Sequence, residues 1–332
     1  MLNYCTRVDI PKSSFDISYQ DGLMFLGSCF ADQIGLKMTE HGWHGCVNPF
    51  GVLYNPLSVA LGCRRILNPK PFAATDLFEH NGMVHSFMHH GKFSDYEMST
   101  ALTKINNALS DAADYFRKIS CLVITFGTAY VYRLKSDGRV VANCHKIPAS
   151  QFSRDLLTVN QIVDEWSDLL KWFRLVNPMI KIIFTVSPIR HWQNGAHDNQ
   201  ISKSILLLAE QALTEKYAAM ASYFPAYELM IDELRDYRFY ADDLLHPSKV
   251  AVDYIWERFC DVYMNADTKD LLQEVEAIHR DMLHRPLNPA TDAYKRFLSQ
   301  TMSKIKRLHK KNPYICMSNV EREITDRLQR LS

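Results

Sequence analysis

The sequence predicts an α/β fold: a parallel sheet with helices on both faces, followed by a helical extension. Three observations predict it. Short apolar runs bounded by turn residues occur at 22–26, 121–126 and 181–186, and such runs fit strands buried on both faces. Segments with apolar residues three and four apart alternate with them, and repeated strand–helix units imply right-handed crossovers. Residues 265–332 differ from the rest: they are rich in Glu, Lys and Arg and carry no strand signal.

In chain order, a strand is expected over 22–26 and a helix over 29–41, where Phe30, Ile34 and Met38 are spaced by four. Residues 45–56 hold two Asn-Pro pairs and Gly51, the signature of a rigid non-helical loop. Asn55 then caps, and Pro56 opens, a helix over 57–66. Residues 67–98 show no clear period and contain His85, His89 and His90. So long an irregular stretch is uncommon unless functional, and a substrate-pocket or lid role is expected for it. A helix over 99–118 places Leu102, Ile105, Leu109, Ala112, Ala113 and Phe116 on one face. The strand over 121–126 ends at Gly127-Thr128. A hairpin over 130–134 and 139–142 follows, closed by Asp137-Gly138.

A helix over 158–175, a strand over 181–186, a loop over 189–199 and a helix to about 220 come next. A short apolar segment, 227–231, reads as a further strand, and a last core helix spans 249–264. The expected organisation is a domain over 1–264, with the 67–98 insert and the 129–143 hairpin, and a helical extension over 265–332. Three amphipathic helices are expected there, packing on the core or on another subunit, so homo-oligomerisation through them is the partner expectation. The basic cluster between Lys304 and Lys311 reads as a solvated helix face.

Of 332 residues, 38 are basic and 37 acidic, a balance that argues against a nucleic-acid or membrane-surface binder. Met1 to Ser14 lacks the apolar core and basic start of a leader, and no apolar run approaches the roughly 18 residues of a membrane span. The expected compartment is the cytoplasm. The eight cysteines are scattered without a C-x-x-C pair, which predicts reduced thiols rather than a disulfide framework or a zinc site. Glycine-rich phosphate loops are absent, and no cofactor is expected.

Sites in parallel sheets form beyond the carboxyl ends of the strands. That places Ser28, Cys29, Gly127, Thr128, Ser187 and the loop before His246 on one rim. Ser28 and Cys29 stand where a strand turns into a helix, and a helix N-terminus favours a thiolate, an alkoxide or an oxyanion. Asp243 and His246, three residues apart, can deliver a base and the carboxylate that orients it. Arg190, at the exit of the 181–186 strand beside His191, could hold a carboxylate or phosphate through its fork. His85 and His89 would share a helix face as zinc ligands, but no carboxylate lies near them in sequence. A pocket or lid role fits them better than a metal.

The run Gly27-Ser28-Cys29-Phe30-Ala31 resembles the signature of GSCFA-domain proteins, a branch related to the SGNH/GDSL hydrolases. The order of three further blocks supports it: Asn48-Pro49-Phe50-Gly51, Phe126-Gly127-Thr128-Ala129, and Asp243 to His246. The resemblance covers roughly residues 20–264. It implies a flavodoxin-like three-layer α/β/α sandwich, and ester hydrolysis or acyl transfer of a small-molecule substrate through a covalent intermediate. Threaded without gaps, the family's Gly-Asp-Ser falls on Gly27-Ser28-Cys29, so Cys29 takes the nucleophile position; a shift of one residue would give it to Ser28. The family's oxyanion Asn falls on Ala129, which leaves Thr128, Asn48 or Asn55 to replace it. Gly51 matches the second-block Gly whose N–H would assist. The loss of that Asn keeps open a second reading, a degenerate member that binds a ligand or partner without turnover. A third makes the helical tail the working part.

Overall fold

The computed structural model describes residues 6–284, 286–287 and 291–331. The chain runs β1 (Leu23–Gly27), α1 (Cys29–Glu40), β2 (Gly45–Val47), α2 (Pro56–Leu67), a hairpin of β3 (Phe78–His80) and β4 (Met83–His85), and α3 (Met98–Phe116). Next come β5 (Cys121–Phe126), β6 (Tyr130–Leu134), β7 (Val140–Val141), β8 (Phe152–Leu156), α4 (Val159–Val176), β9 (Lys181–Val186), α5 (Gly195–Lys216), β10 (Ala221–Tyr223) and a single turn, α6 (Ala226–Glu228). The chain closes with α7 (Lys249–Tyr263), α8 (Ala266–Leu283), α9 (Asp292–Lys311) and α10 (Ser318–Gln329).

The central sheet has five parallel strands in the order β2-β1-β5-β9-β10. Side chains alternate across it, so each strand feeds two cores. Met24, Leu26, Leu122, Ile124, Ile182 and Phe184 point into a core shared with α2, α3, α4 and α5. Leu23, Phe25, Cys121, Val123 and Ile183 point into a second core with α1 and α7. The result is a three-layer α/β/α sandwich. Its chain reverses direction of travel between β1 and β5, which opens a crevice at the carboxyl ends of those two strands, where α/β folds bind ligands.

Helix starts follow the local chemistry: Ser28, Asn55, Thr158 and Ser248 each cap a first turn through a side-chain oxygen. The three tail helices turn Val275, Ile278, Leu298, Ile305, Leu308 and Ile324 into the second core, beside Trp43 and Trp256. Their apolar faces therefore pack on the chain's own core. Lys304 pairs with Asp281 at 2.7 Å. No helix among the described residues is long and apolar enough to cross a membrane.

Several elements differ from expectation. Residues 227–231 are not a strand: Leu229–Glu233 continue α6 as a π-helical turn, with the Leu234 N–H donating to Leu229 O at 3.0 Å. A short apolar run looks alike in a buried strand and a buried turn. The edge strand is instead β10, three residues long, paired with Ile182–Phe184. Gly45–Val47, expected as loop, add the opposite edge beside β1. The 130–142 hairpin gains a third strand, β8, from a segment with little apolar signal. The 67–98 insert holds the β3–β4 hairpin and buries Phe72, Leu77 and Val84 in the first core. Each of the seven cysteines among the described residues is a free thiol. Cys5, within the stretch read against a leader, lies outside the described residues.

Candidate active site

The β1–α1 corner is built by backbone geometry that only glycine permits. Gly27 has φ +137°, and a Cβ there would lie 2.1 Å from Thr125 O on the neighbouring strand. This close approach lets the chain leave the sheet and enter α1 within one residue. Asn48 locks the turn. Its Oδ1 accepts from the Gly27 N–H at 2.8 Å, and its Nδ2 donates to Asp32 at 2.6 Å. The Ser28 N–H donates to Thr125 O at 3.1 Å, and the Leu53 N–H to Gly27 O at 2.8 Å. Ser28 is buried at 1 % exposure, and its Oγ accepts the Phe30 N–H at 3.3 Å. Its oxygen thus caps the first turn of α1.

Cys29, the first residue of α1, faces His246. Its Sγ lies 3.8 Å from His246 Nε2. His246 Nδ1 lies 2.6 Å from Asp243 Oδ2. The other carboxylate oxygen accepts the Leu245 and His246 N–H groups, each at 2.9 Å. Those two backbone donors, then the ring, hold the Asp243 carboxyl down at about 2. The carboxylate can fix the ring tautomer with Nδ1 protonated and Nε2 open toward the thiol. Leu244, at the apex of this loop, has φ +57°, a left-handed conformation that costs a leucine on the order of 1 kcal/mol.

Burial pushes the Cys29 thiol up to about 11; its own N–H opposes this, Asp32 reinforces it, and the Lys203 charge opposes it more weakly. The helix N-terminus alone does not make a resting thiolate here, because desolvation outweighs it. Any reaction through this sulfur would need a proton acceptor, and His246 Nε2 is the ring nitrogen that faces it.

A cavity of about 480 Å³ opens over the sulfur. Ser28, Cys29, Tyr54, Asn55, Thr128, Arg190, His191 and His246 line it, and Tyr130, Tyr132, Asn143 and Cys144 from the β6–β7 excursion form its far wall. Among the described residues, none of 67–98 lines it. The cavity wall expected from the insert comes instead from the β6–β7 segment, which the insert props: the Ala142 and Asn143 N–H groups donate to Phe87 O at 2.8 and 3.2 Å.

Other sequence candidates are placed as follows. Asn48 is fully buried in the corner, not in the cavity. The Gly51 N–H donates to Asn48 O at 2.7 Å, and a Cβ at Gly51 (φ +75°) would meet His90 Cβ at 2.2 Å. This glycine serves a close approach, and its N–H is already used. Asn55 lines the cavity, but its side chain caps α2, accepting from Ser58 N at 2.8 Å and donating to Ser58 Oγ at 2.9 Å. Thr128 also lines it, with Oγ1 3.1 Å from Ser202 Oγ. Ala129 is buried, and its N–H donates to Ser202 Oγ at 2.7 Å. His85 and His89 do not share a helix face, since β4 and a turn carry them. His85 Nδ1 meets Ser94 Oγ at 2.7 Å and Nε2 lies 3.2 Å from His80 O. His89 sits among Phe50, Phe72 and Phe93, with Nδ1 on Ser86 Oγ at 2.9 Å, and burial drives it down to about 3. It is a neutral core histidine.

Two residues stand out that sequence reading missed or left at the margin. Lys203, on α5, is wholly buried and donates to Gly127 O at 2.8 Å and Ser187 O at 2.7 Å. It ties together the loops that leave β5 and β9 under the cavity. Burial pushes its amine down to about 7, against the pull of Glu210 and Cys29. His191 packs edge-on against Tyr54, and burial first, then the Lys203 and His246 charges, lower it to about 4. Its ring is neutral and keeps one N–H donor.

A larger cleft of about 700 Å³ lies between α1, α7 and the tail helices. Lys37–Asp253 and His41–Glu276 contacts cross it, and among the described residues it holds no thiol or hydroxyl paired with a base.

A model of the GSCFA family matches residues 22–259, and a model of the GSCFA domain protein C-terminal domain matches residues 275–330. No curated protein matches the chain.

Proposed function

The chain belongs to the GSCFA family, and from that premise we propose an SGNH-like esterase or acyltransferase that works through an acyl-thioester on Cys29. The observation that carries this reading is the aligned series Cys29 Sγ–His246 Nε2–Asp243 Oδ2, at 3.8 and 2.6 Å, opening onto a cavity. Apo contacts of this kind are commonly loose and tighten when substrate binds.

In the first half-reaction the thiol attacks the ester carbonyl while His246 Nε2 takes its proton. The carbonyl oxygen gains the negative charge. The Cys29 N–H at the head of α1 supplies one donor to it, and the neutral His191 ring faces the same cavity as a second. Collapse of the tetrahedral intermediate breaks the ester C–O bond, and the leaving oxygen takes the proton from His246. In the second half, water or an acceptor alcohol gives its proton to His246 and attacks the thioester. The thiol then returns, with release of an acid or a new ester. Asp243 stays ionised throughout and stabilises the imidazolium.

The competing reading, ligand binding without turnover, is favoured by Ala129, whose buried position offers no side-chain donor to an oxyanion. Hydrolysis of p-nitrophenyl acetate and longer acyl esters separates the two. The proposal expects turnover that Cys29→Ala abolishes and Ser28→Ala reduces only as far as it loosens the corner. Absence of turnover, or turnover that survives Cys29→Ala, overturns it.

A further inference from the structure

Among the described residues, Arg190 and Arg65 are half-buried arginines without a carboxylate partner; Arg65 lies over the Phe72 ring, and of the two only Arg190 has a buried nitrogen left without a partner. Arg64 and Arg258 each meet a glutamate, at 2.9 and 3.2 Å. No carboxylate pairs with Arg190 among the described residues. Its contacts are one long hydrogen bond, Nη2 to Gln200 Oε1 at 3.4 Å, and the Trp192 ring at 5.4 Å from the guanidinium carbon. Its Nε is buried without a partner. A guanidinium has five donors, and a buried donor left unmade costs free energy that native proteins generally avoid unless a ligand or water completes it.

The surroundings sharpen this. Arg190 lines the same cavity as Cys29, and no Asp or Glu among the described residues lines that cavity with it. The cavity thus presents a guanidinium with no lining carboxylate against it, in a partly desolvated space where charge recognition is stronger than in water.

We infer that the substrate carries an anionic group, a carboxylate or a phosphate, held by the Arg190 fork while its acyl carbonyl lies at Cys29. The inference rests on reading this cavity as the substrate site. Arginine is suited to the task because its planar fork meets either oxyanion through two parallel N–H···O contacts. Tyr54, Tyr130, Tyr132 and Ile189 would pack against the uncharged part between the two ends. Gln200, which now accepts from the guanidinium, holds it in place without neutralising it.

The test uses the Cys29→Ala protein, so that binding is read without turnover. Isothermal titration compares monomethyl succinate, methyl phosphate and neutral methyl butyrate. The inference expects one of the two anions to bind at least about tenfold more tightly than the neutral ester, and the stronger arm identifies carboxylate or phosphate. Arg190→Gln in the same background should erase the difference, and Arg190→Lys should keep part of it, because charge persists while the fork is lost. Equal binding of anion and neutral ester overturns the inference before any Arg190 variant is made, and undiminished anion preference in Arg190→Gln does so as well. Native protein assayed with neutral esters tests the catalytic reading separately. Turnover without anion preference fails only the inference; anion binding without turnover fails only the catalytic reading.

Discussion

The two halves of the site are built in opposite ways. The thiol stands on a corner that is buried and cross-tied: Gly27, Ser28 and Asn48 are held by backbone and amide hydrogen bonds to β1, β5 and α1. The base stands on an exposed loop whose Asp243 and His246 side chains are 47 and 44 % accessible and whose Leu244 is left-handed. Cys29 and the groups around it cannot move without disturbing the sheet. A small adjustment of the loop would let His246 close its 3.8 Å gap to the sulfur. In the proposed mechanism, preorganisation sits where charge would develop, and adjustability sits where a proton would be carried.

This contrast can be broken from either side. The largest effect is expected at the corner. Gly27→Ala should prevent the native turn, because its Cβ would overlap Thr125 O; a loss on the order of 4 kcal/mol or more of stability is expected, read as a lowered unfolding midpoint or as insoluble protein. On the loop, His246→Ala should cost about 10⁴-fold in kcat while the unfolding midpoint stays within error, since the ring is not part of a core. Asp243→Asn should lower kcat by about 10²–10⁴-fold with folding intact, as the ring loses the carboxylate that sets its tautomer. A large stability loss in either loop variant would show that the loop is structural rather than adjustable. Asn48→Ala should fall between the two classes, costing about 1–3 kcal/mol because the Gly27 N–H and one Asp32 oxygen lose a buried partner.

The floor of the site adds a pH dependence. Lys203 binds its proton less tightly folded, at about 7, than unfolded. Between pH 7 and about 10 the unfolded chain therefore holds more protons, and stability from this residue rises with pH across that window. Lys203→Met lacks the titration, so the stability gap between parent and variant should widen from pH 7 to pH 10 in chemical denaturation. A gap constant with pH would place an ionised amine in the folded floor.

Much of the scaffold was legible in the sequence because its signals are local. Continuous apolar runs marked β1, β5 and β9, and Asn55-Pro56 marked the head of α2. The tail's periodic apolar residues marked three helices. The spacing of Asp243 and His246 and the strand-to-helix run at Gly27–Cys29 placed these side chains on one rim, and the structure brings Cys29, His246 and Asp243 together there. What escaped depends on tertiary placement. Lys203 lies in a helix whose sequence reads as an ordinary polar turn; only the packing of α5 under the ends of β5 and β9 buries it. Asn48 and Gly51 occupy a loop beside the site, yet their groups turn inward to brace the corner and His90. The histidines of the insert carried the residue type of a functional cluster, but His89 is enclosed by three phenylalanines and His85 is satisfied by Ser94 and a carbonyl. β8 and β10 are short, and their pairing is set by partners distant in sequence.

The central claim is that the Cys29 thiol, protonated at rest, becomes the nucleophile through His246. Its most direct measurement is intact-protein and peptide mass spectrometry of acid-quenched mixtures with p-nitrophenyl acetate, for the native protein and for His246→Ala. The account predicts one acetyl group on Cys29, formed rapidly at neutral pH in the native protein and slowed by orders of magnitude in His246→Ala, whose thiol should acylate appreciably only as pH approaches about 11. An acetyl group on Ser28, or equally fast acylation of Cys29 without the His246 ring, would contradict it.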